Sequence, residues 1–162
     1  MIIALLLAQT MAAPAAAACP ATPAPLPAEY SGWAVAQPIA AAADTGGVAD
    51  AMLTVGRGAR ATLQPAAALK LPATPSHPSA ATHGGVFAFE ASGAGRYRVA
   101  LGAGVWVDVV AKGAALPSVA HGHGPACTAV RKFVEWDLKP GRYLLQVTGE
   151  PATVALEVLK VG

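Results

Sequence analysis

The sequence predicts an all-β chain, folded as a sandwich or a barrel. Three observations carry that expectation. Short runs rich in Val, Tyr, Trp, Phe and Leu alternate apolar with polar positions. Gly and Pro turn residues interrupt them at intervals of about 8–12 residues. No stretch sustains the 3.6-residue apolar period of an amphipathic helix.

Met52–Val55 and Ala59–Gln64 flank Gly56-Arg57-Gly58, which reads as a hairpin turn. Val86–Ala91 alternates around Phe87 and Phe89. Gly95–Leu101 places Tyr97, Val99 and Leu101 on one face and Arg96 and Arg98 on the other. Val105–Val110 follows, and Lys112-Gly113 turns the chain into Leu116–Ala120. Val130–Leu138 is the next strand and stops at Lys139-Pro140-Gly141. Arg142–Thr148 turns Tyr143, Leu145 and Val147 inward, and Thr153–Val161 closes the domain. Between Pro65 and Gly85, Pro65, Pro72, Pro75 and Pro78 break regular structure, so this long loop either moves or lies over a site.

Residues 1–18 carry no charged side chain, and the apolar run Ile2–Ala8 is too short to span a bilayer. Small residues follow, with Ala16 and Ala18 at the spacing a signal peptidase accepts. The expected organisation is a signal peptide at 1–18, a Pro/Ala-rich extended arm at 19–45 and one β domain at 46–162, in a periplasmic or secreted protein. Pro20, Pro23, Pro25 and Pro27 forbid a helix at the start of the arm, and Trp33 is expected to dock on the domain. Export places the only two cysteines, Cys19 and Cys127, in an oxidising compartment, which favours a disulfide between them. Closing so long a loop would stabilise the fold by about 4–5 kcal/mol on the chain-entropy account. A cysteine just after a signal segment also resembles a lipoprotein start, so a lipid anchor at Cys19 is the minority alternative.

Charged residues are 12% of the chain and the net charge of +2 is dispersed, so no basic stripe exists for nucleic acid and no polybasic patch for a membrane. No segment after residue 18 reads as a transmembrane helix.

Gly95-Arg96-Tyr97-Arg98-Val99, Val105-Trp106-Val107-Asp108-Val109 and Pro140-Gly141-Arg142-Tyr143-Leu144-Leu145-Gln146-Val147 resemble bacterial pre-peptidase C-terminal domains. That resemblance implies an exported, jelly-roll-like antiparallel β-sandwich; likeness of fold does not carry function. The chain also resembles small exported bacterial proteins sharing His-Gly-His-Gly-Pro-x-Cys, some labelled homogentisate 1,2-dioxygenase. That label implies a non-haem iron oxidoreductase, although the dioxygenase is a far larger cupin-type enzyme.

The chemistry-bearing segment is His121-Gly122-His123-Gly124-Pro125-Ala126-Cys127. On a strand, His121 and His123 would share one face and could ligate Zn, Cu, Ni or Fe, with His77 or His83 as a third ligand. A solvated turn between strands is the plainer reading, and a disulfide would remove Cys127 from any ligand set. A cupin site lacks its Glu, since Cys127 and Thr128 occupy the expected positions. Glu135 or Asp137 would have to return to the His pair to complete a facial triad. Otherwise these two carboxylates read as a solvated face. Asp108 reads as a solvent-face charge or a partner of Arg98, and Trp106 and Trp136 read as core.

No catalytic residues are assigned. The expected role is structural or binding, toward an unknown protein or envelope component, with metal binding at His121 and His123 left open. A metal-dependent dioxygenase is the first alternative. A carbohydrate- or peptide-binding module is the second, and exposure of Trp106 and Trp136 would favour it.

Overall fold

The computed structural model describes residues 18–77 and 80–162. Nearly all of the expected signal segment therefore lies outside the described residues. Twelve strands follow in chain order: β1 (Gln37–Ala40), β2 (Met52–Leu53), β3 (Arg57–Thr62), β4 (Gln64–Pro65), β5 (His83–Ala91), β6 (Gly95–Leu101), β7 (Trp106–Ala111), β8 (Ala114–Ala115), β9 (Ala120–His123), β10 (Lys132–Leu138), β11 (Gly141–Gly149) and β12 (Thr153–Val161). They form two sheets packed face to face, a sandwich and not a barrel. Sheet 1 has the order β1-β3-β12-β6-β10-β9; sheet 2 runs β2-β5-β11-β7-β8, with β4 also paired to β5.

The alternating strands supply the core as their pattern requires. Tyr97, Val99 and Leu101 of β6, with Leu156 and Val158 of β12, meet Phe87 and Phe89 of β5 and Leu145 and Val147 of β11 in one apolar cluster. Lys112 and Gly113, at φ 52° and 76°, form the tight turn joining β7 to β8, with the two positive φ values that a type I′ hairpin requires.

Three expectations need correction. The sheets are mixed, because β1 pairs parallel with β3 and β2 pairs parallel with β5. Gly56-Arg57-Gly58 is not a hairpin: β2 belongs to sheet 2 and β3 to sheet 1. Arg57 N–H bonds to Thr54 O across Gly56 at φ 79°. Positive φ at the third turn position is the type II signature, whose twist splays flanking strands where a hairpin turn would pair them. The arm is not extended throughout, since Ala28–Val35 winds into 3₁₀ turns and Gln37–Ala40 joins sheet 1 as an edge strand.

This N-terminal segment covers the outer face of sheet 1, which is apolar where it is covered. Tyr30, Trp33 and Leu26 pack on Ala100, Val130, Leu159 and Val161, so Trp33 docks as expected. Arg98 clamps the layer. Its guanidinium pairs with Glu135 at 2.7 Å and Glu29 at 2.8 Å, and donates to Tyr30 Oη at 2.8 Å. Glu135, read as solvated, is in fact buried beneath this clamp. Further along, Cys19 and Cys127 form the expected disulfide, and Ala24 N–H bonds to Cys127 O at 2.7 Å. The sulfur of Cys19 is thereby committed, which leaves no thiol for a lipid thioether.

Under the same segment lies Glu157, 1% exposed, with neither carboxylate oxygen in a well-formed hydrogen bond. A Cβ on Gly32 would collide with Glu157 Oε1 and with the Gly56 carbonyl, so only glycine permits this approach. Burial raises the Glu157 pKa, and the nearby Trp33 N–H offsets that only in part.

Two measurements test this layer. Replacing both Cys19 and Cys127 with Ala should lower stability by about 2–5 kcal/mol in denaturant unfolding; an unchanged midpoint would mean the arm is held without the bridge. A raised folded pKa means the folded chain binds the proton more tightly than the unfolded one. The stabilising contribution is therefore present at acid pH and declines as pH rises through the folded value. Glu157→Gln should accordingly melt above the parent at about pH 7, with the gap closing below the ordinary Glu value of about 4.3. A gap that persisted at acid pH would contradict this assignment.

Candidate binding cleft at the splayed sheet edges

The His segment is not a turn. Ala120–His123 is the edge strand β9 of sheet 1, paired antiparallel to β10 with His121 opposite Val134 and His123 opposite Lys132. Directly opposed residues share a face, and Val134 and Trp136 face the core. Both imidazoles and the Lys132 side chain therefore point toward the gap between the sheets. Glu135 and Asp137 lie on the other face, held by Arg98 and by Arg96, whose Nε donates to Asp137 Oδ1 at 3.0 Å. The facial triad that would need one of them beside the His pair does not form.

Gly122 faces outward with the Phe133 ring against it; an added Cβ would sit 3.0 Å from that ring. Phe133 in turn carries Arg98, whose guanidinium carbon lies 4.4 Å from the ring centroid. Beyond β9 the chain is tied back by Gly124 N–H to Arg131 O at 3.1 Å and by the disulfide at Cys127.

Across the gap stands β7 of sheet 2. Its partner β8 pairs only with Val110 and Ala111, and Leu116 N–H reaches Val109 O. Among the described residues, the Trp106–Asp108 end therefore has no strand on that side. Between this free edge and β9 opens a cleft of about 650 Å³, with Trp106, Leu116 and Val134 among its apolar residues and Lys132, His121 and His123 among its polar ones. Trp136 lies at its base, buried, donating Nε1–H to Leu116 O at 3.1 Å. Trp136 is core as expected. Trp106 is not; it is half-buried at the cleft wall.

Asp108 is neither a solvent-face charge nor a partner of Arg98. It is 3% exposed on the outer face of sheet 2, where the long loop lies over it. Trp106 Nε1–H donates to it at 3.1 Å, Gln146 Nε2–H at 3.0 Å and Ser76 N–H at 3.3 Å, and Ser76 Oγ donates as well. Four donors satisfy this buried carboxylate and fix the indole edge.

Lys132 is the unbalanced group. Its Nζ donates to Val105 O at 2.9 Å and lies 5.4 Å from the Trp106 ring centroid. Among the described residues no carboxylate lies within 4.0 Å of it. Burial lowers its pKa. The sequence carries a signal for this residue: Val130, Lys132, Val134, Trp136 and Leu138 share one strand parity, and Lys132 is the single charge among them. Asp108 within Val105–Val110 is similarly placed, a carboxylate inside a run apolar on both parities, which marks a strand buried on both faces.

The other expected ligands do not converge. The His77 ring packs on Trp106 at 4.8 Å, and His83 Nδ1 lies 2.9 Å from Glu150 O. Cys127 is in the disulfide. Among the described residues no three His, Cys, Asp or Glu side chains are gathered as a metal site. Two imidazoles alone do not fit a closed zinc site or a facial-triad iron.

Asp108→Ala should destabilise the domain by about 2–3 kcal/mol in urea unfolding, because it strands buried donors. A loss below about 0.5 kcal/mol, typical of surface substitutions, would place Asp108 at the surface.

No family model matches the sequence, and no curated protein matches it. Among solved structures, the crystal structure of the pre-peptidase C-terminal domain of collagenase from Bacillus anthracis is similar to part of the chain. The similarity covers 47% of this chain and 76% of that one, with 20% identity and a TM-score of 0.35.

Proposed function

We propose that this protein is an exported binding module, without catalysis of its own, that takes a small ring-bearing ligand in the cleft between β7 and β9. The observation that carries the reading is the cleft itself: about 650 Å³ with an apolar lining and a few convergent polar groups. Those are the size and chemistry of small-molecule sites. Export is supported by residues 1–18 and by the Cys19–Cys127 bond, which suits an oxidising compartment. Among the described residues, no helix is long and apolar enough to cross a membrane.

Binding is favoured over catalysis by how the groups are engaged. Ser76 Oγ donates to Asp108 and not to an imidazole, so it is not an activated nucleophile. The His pair offers two imidazole N–H donors on one face, suited to hydrogen-bonding a ligand. As a metal site it would be incomplete, and added Zn²⁺ should bind weakly. The placement of Trp106 at the cleft favours a saccharide over a protein partner, since a ring can lie along the apolar lining while hydroxyls meet the imidazoles.

Ligand-observed NMR with neutral and charged monosaccharides, disaccharides and tripeptides tests the reading. At least one saccharide should bind with a dissociation constant between about 1 µM and 1 mM. Ser118→Trp, which fills the cleft from an exposed position, should abolish that binding while the fold persists. Saccharide binding that survives the filled cleft, or none from any saccharide, would contradict it.

A further inference from the structure

Resting on that reading, we infer that the cleft selects a monoanionic ligand, one carrying a carboxylate that seats on Lys132 beside His123. An ammonium group has three N–H donors, and the structure gives Lys132 one acceptor, Val105 O at 2.9 Å. The indole 5.4 Å away supplies only a quadrupole. A half-buried cation with no counter-charge is unfavourable, and burial already shifts its equilibrium toward the neutral amine. An incoming carboxylate would supply the missing charge and accept the remaining donors.

Neighbouring groups point to the same chemistry. His123 sits directly across the ladder from Lys132, and His121 lies two residues along the same face. Both can donate an N–H to the second carboxylate oxygen or to a hydroxyl beside it. Among the described residues Asp108 is the one carboxylate lining the cleft, and, filled by four donors, it does not compete for the ammonium. A single ammonium near one buried carboxylate suits a monoanion and disfavours a dianionic phosphate. The same carboxylate chemistry is offered by an acidic sugar and by a free organic acid.

Matched probe pairs separate these cases. D-glucuronate is compared with D-glucose, and benzoate with benzyl alcohol, by chemical-shift titration of the full chain, its Lys132→Met and Lys132→Arg variants, and Ser118→Trp. The charged member of at least one pair should bind about ten-fold tighter than its neutral partner, as a charge-assisted hydrogen bond would give. Preference in the glucuronate pair alone identifies an acidic saccharide; preference in the benzoate pair alone identifies a free acid. Lys132→Met should reduce the charged-to-neutral ratio to about one, and Lys132→Arg should keep it. Equal binding of charged and neutral probes, or a preference that survives Lys132→Met, overturns the inference and leaves the cleft standing. Binding unaffected by Ser118→Trp, or no binding at all, removes the cleft reading and the inference with it.

Discussion

The register of β9 on β10 is the constraint on which the cleft depends. With His121 opposite Val134 and His123 opposite Lys132, two imidazoles and an ammonium point between the sheets while Glu135 faces out. A slip of β9 by one residue would exchange its faces, turn both imidazoles outward and leave Ala120 and Gly122 beside Lys132. Several local features hold the register. Phe133 lies on Gly122, where a side chain would crowd it, and a Cβ on Gly124 would collide with the Val130 carbonyl. The disulfide then fixes the chain three residues on, where Cys127 itself sits at φ 60°.

Register alone does not make a cleft; the sheets must also part. On β10 the outward residues are committed to the N-terminal layer: Glu135 to Arg98, and Phe133 beneath the same guanidinium. Sheet 1 is thus covered twice, by sheet 2 within and by Tyr30, Trp33 and Leu26 without. Opposite, the long loop covers the outer face of sheet 2 through Ser76 and Ala73, which bond to Asp108 and Gln146. Both outer covers hold their sheets from behind, while Trp136 fills the space between them. Beyond Trp136, β10 reaches Val134 and Lys132, and β7 has lost its neighbour. The core ends there and the cleft begins.

Much of this was legible in the sequence, for a definable reason. Gly95–Leu101 and Thr153–Val161 were found with the bounds the structure shows because alternation is a local property. The disulfide was legible because two cysteines admit one pairing. What escaped depended on partners distant in the chain. Gly56 could serve a hairpin or a crossing between sheets, and only pairing of β3 with β12 decides between them. Asp108 and Glu135 looked solvated because the loop and the N-terminal segment that bury them carry no sequence mark of where they land. The His pair was recognised, but its facing residues were not, since the register that places Lys132 beside it is set by Phe133, Gly122 and the disulfide together.

Ligand recognition, as proposed, sits at the splayed edge between β7 and β9. The chain's three tryptophans sample the alternatives: Trp33 on the outer layer, Trp136 in the core and Trp106 at the cleft. Fluorine NMR of 5-fluorotryptophan-labelled protein during titration with D-glucuronate, D-glucose and benzoate in turn reads all three at once. At least one of these probes should shift the Trp106 resonance saturably while Trp33 stays fixed. A shift confined to Trp33, or no saturable change at Trp106, would contradict it.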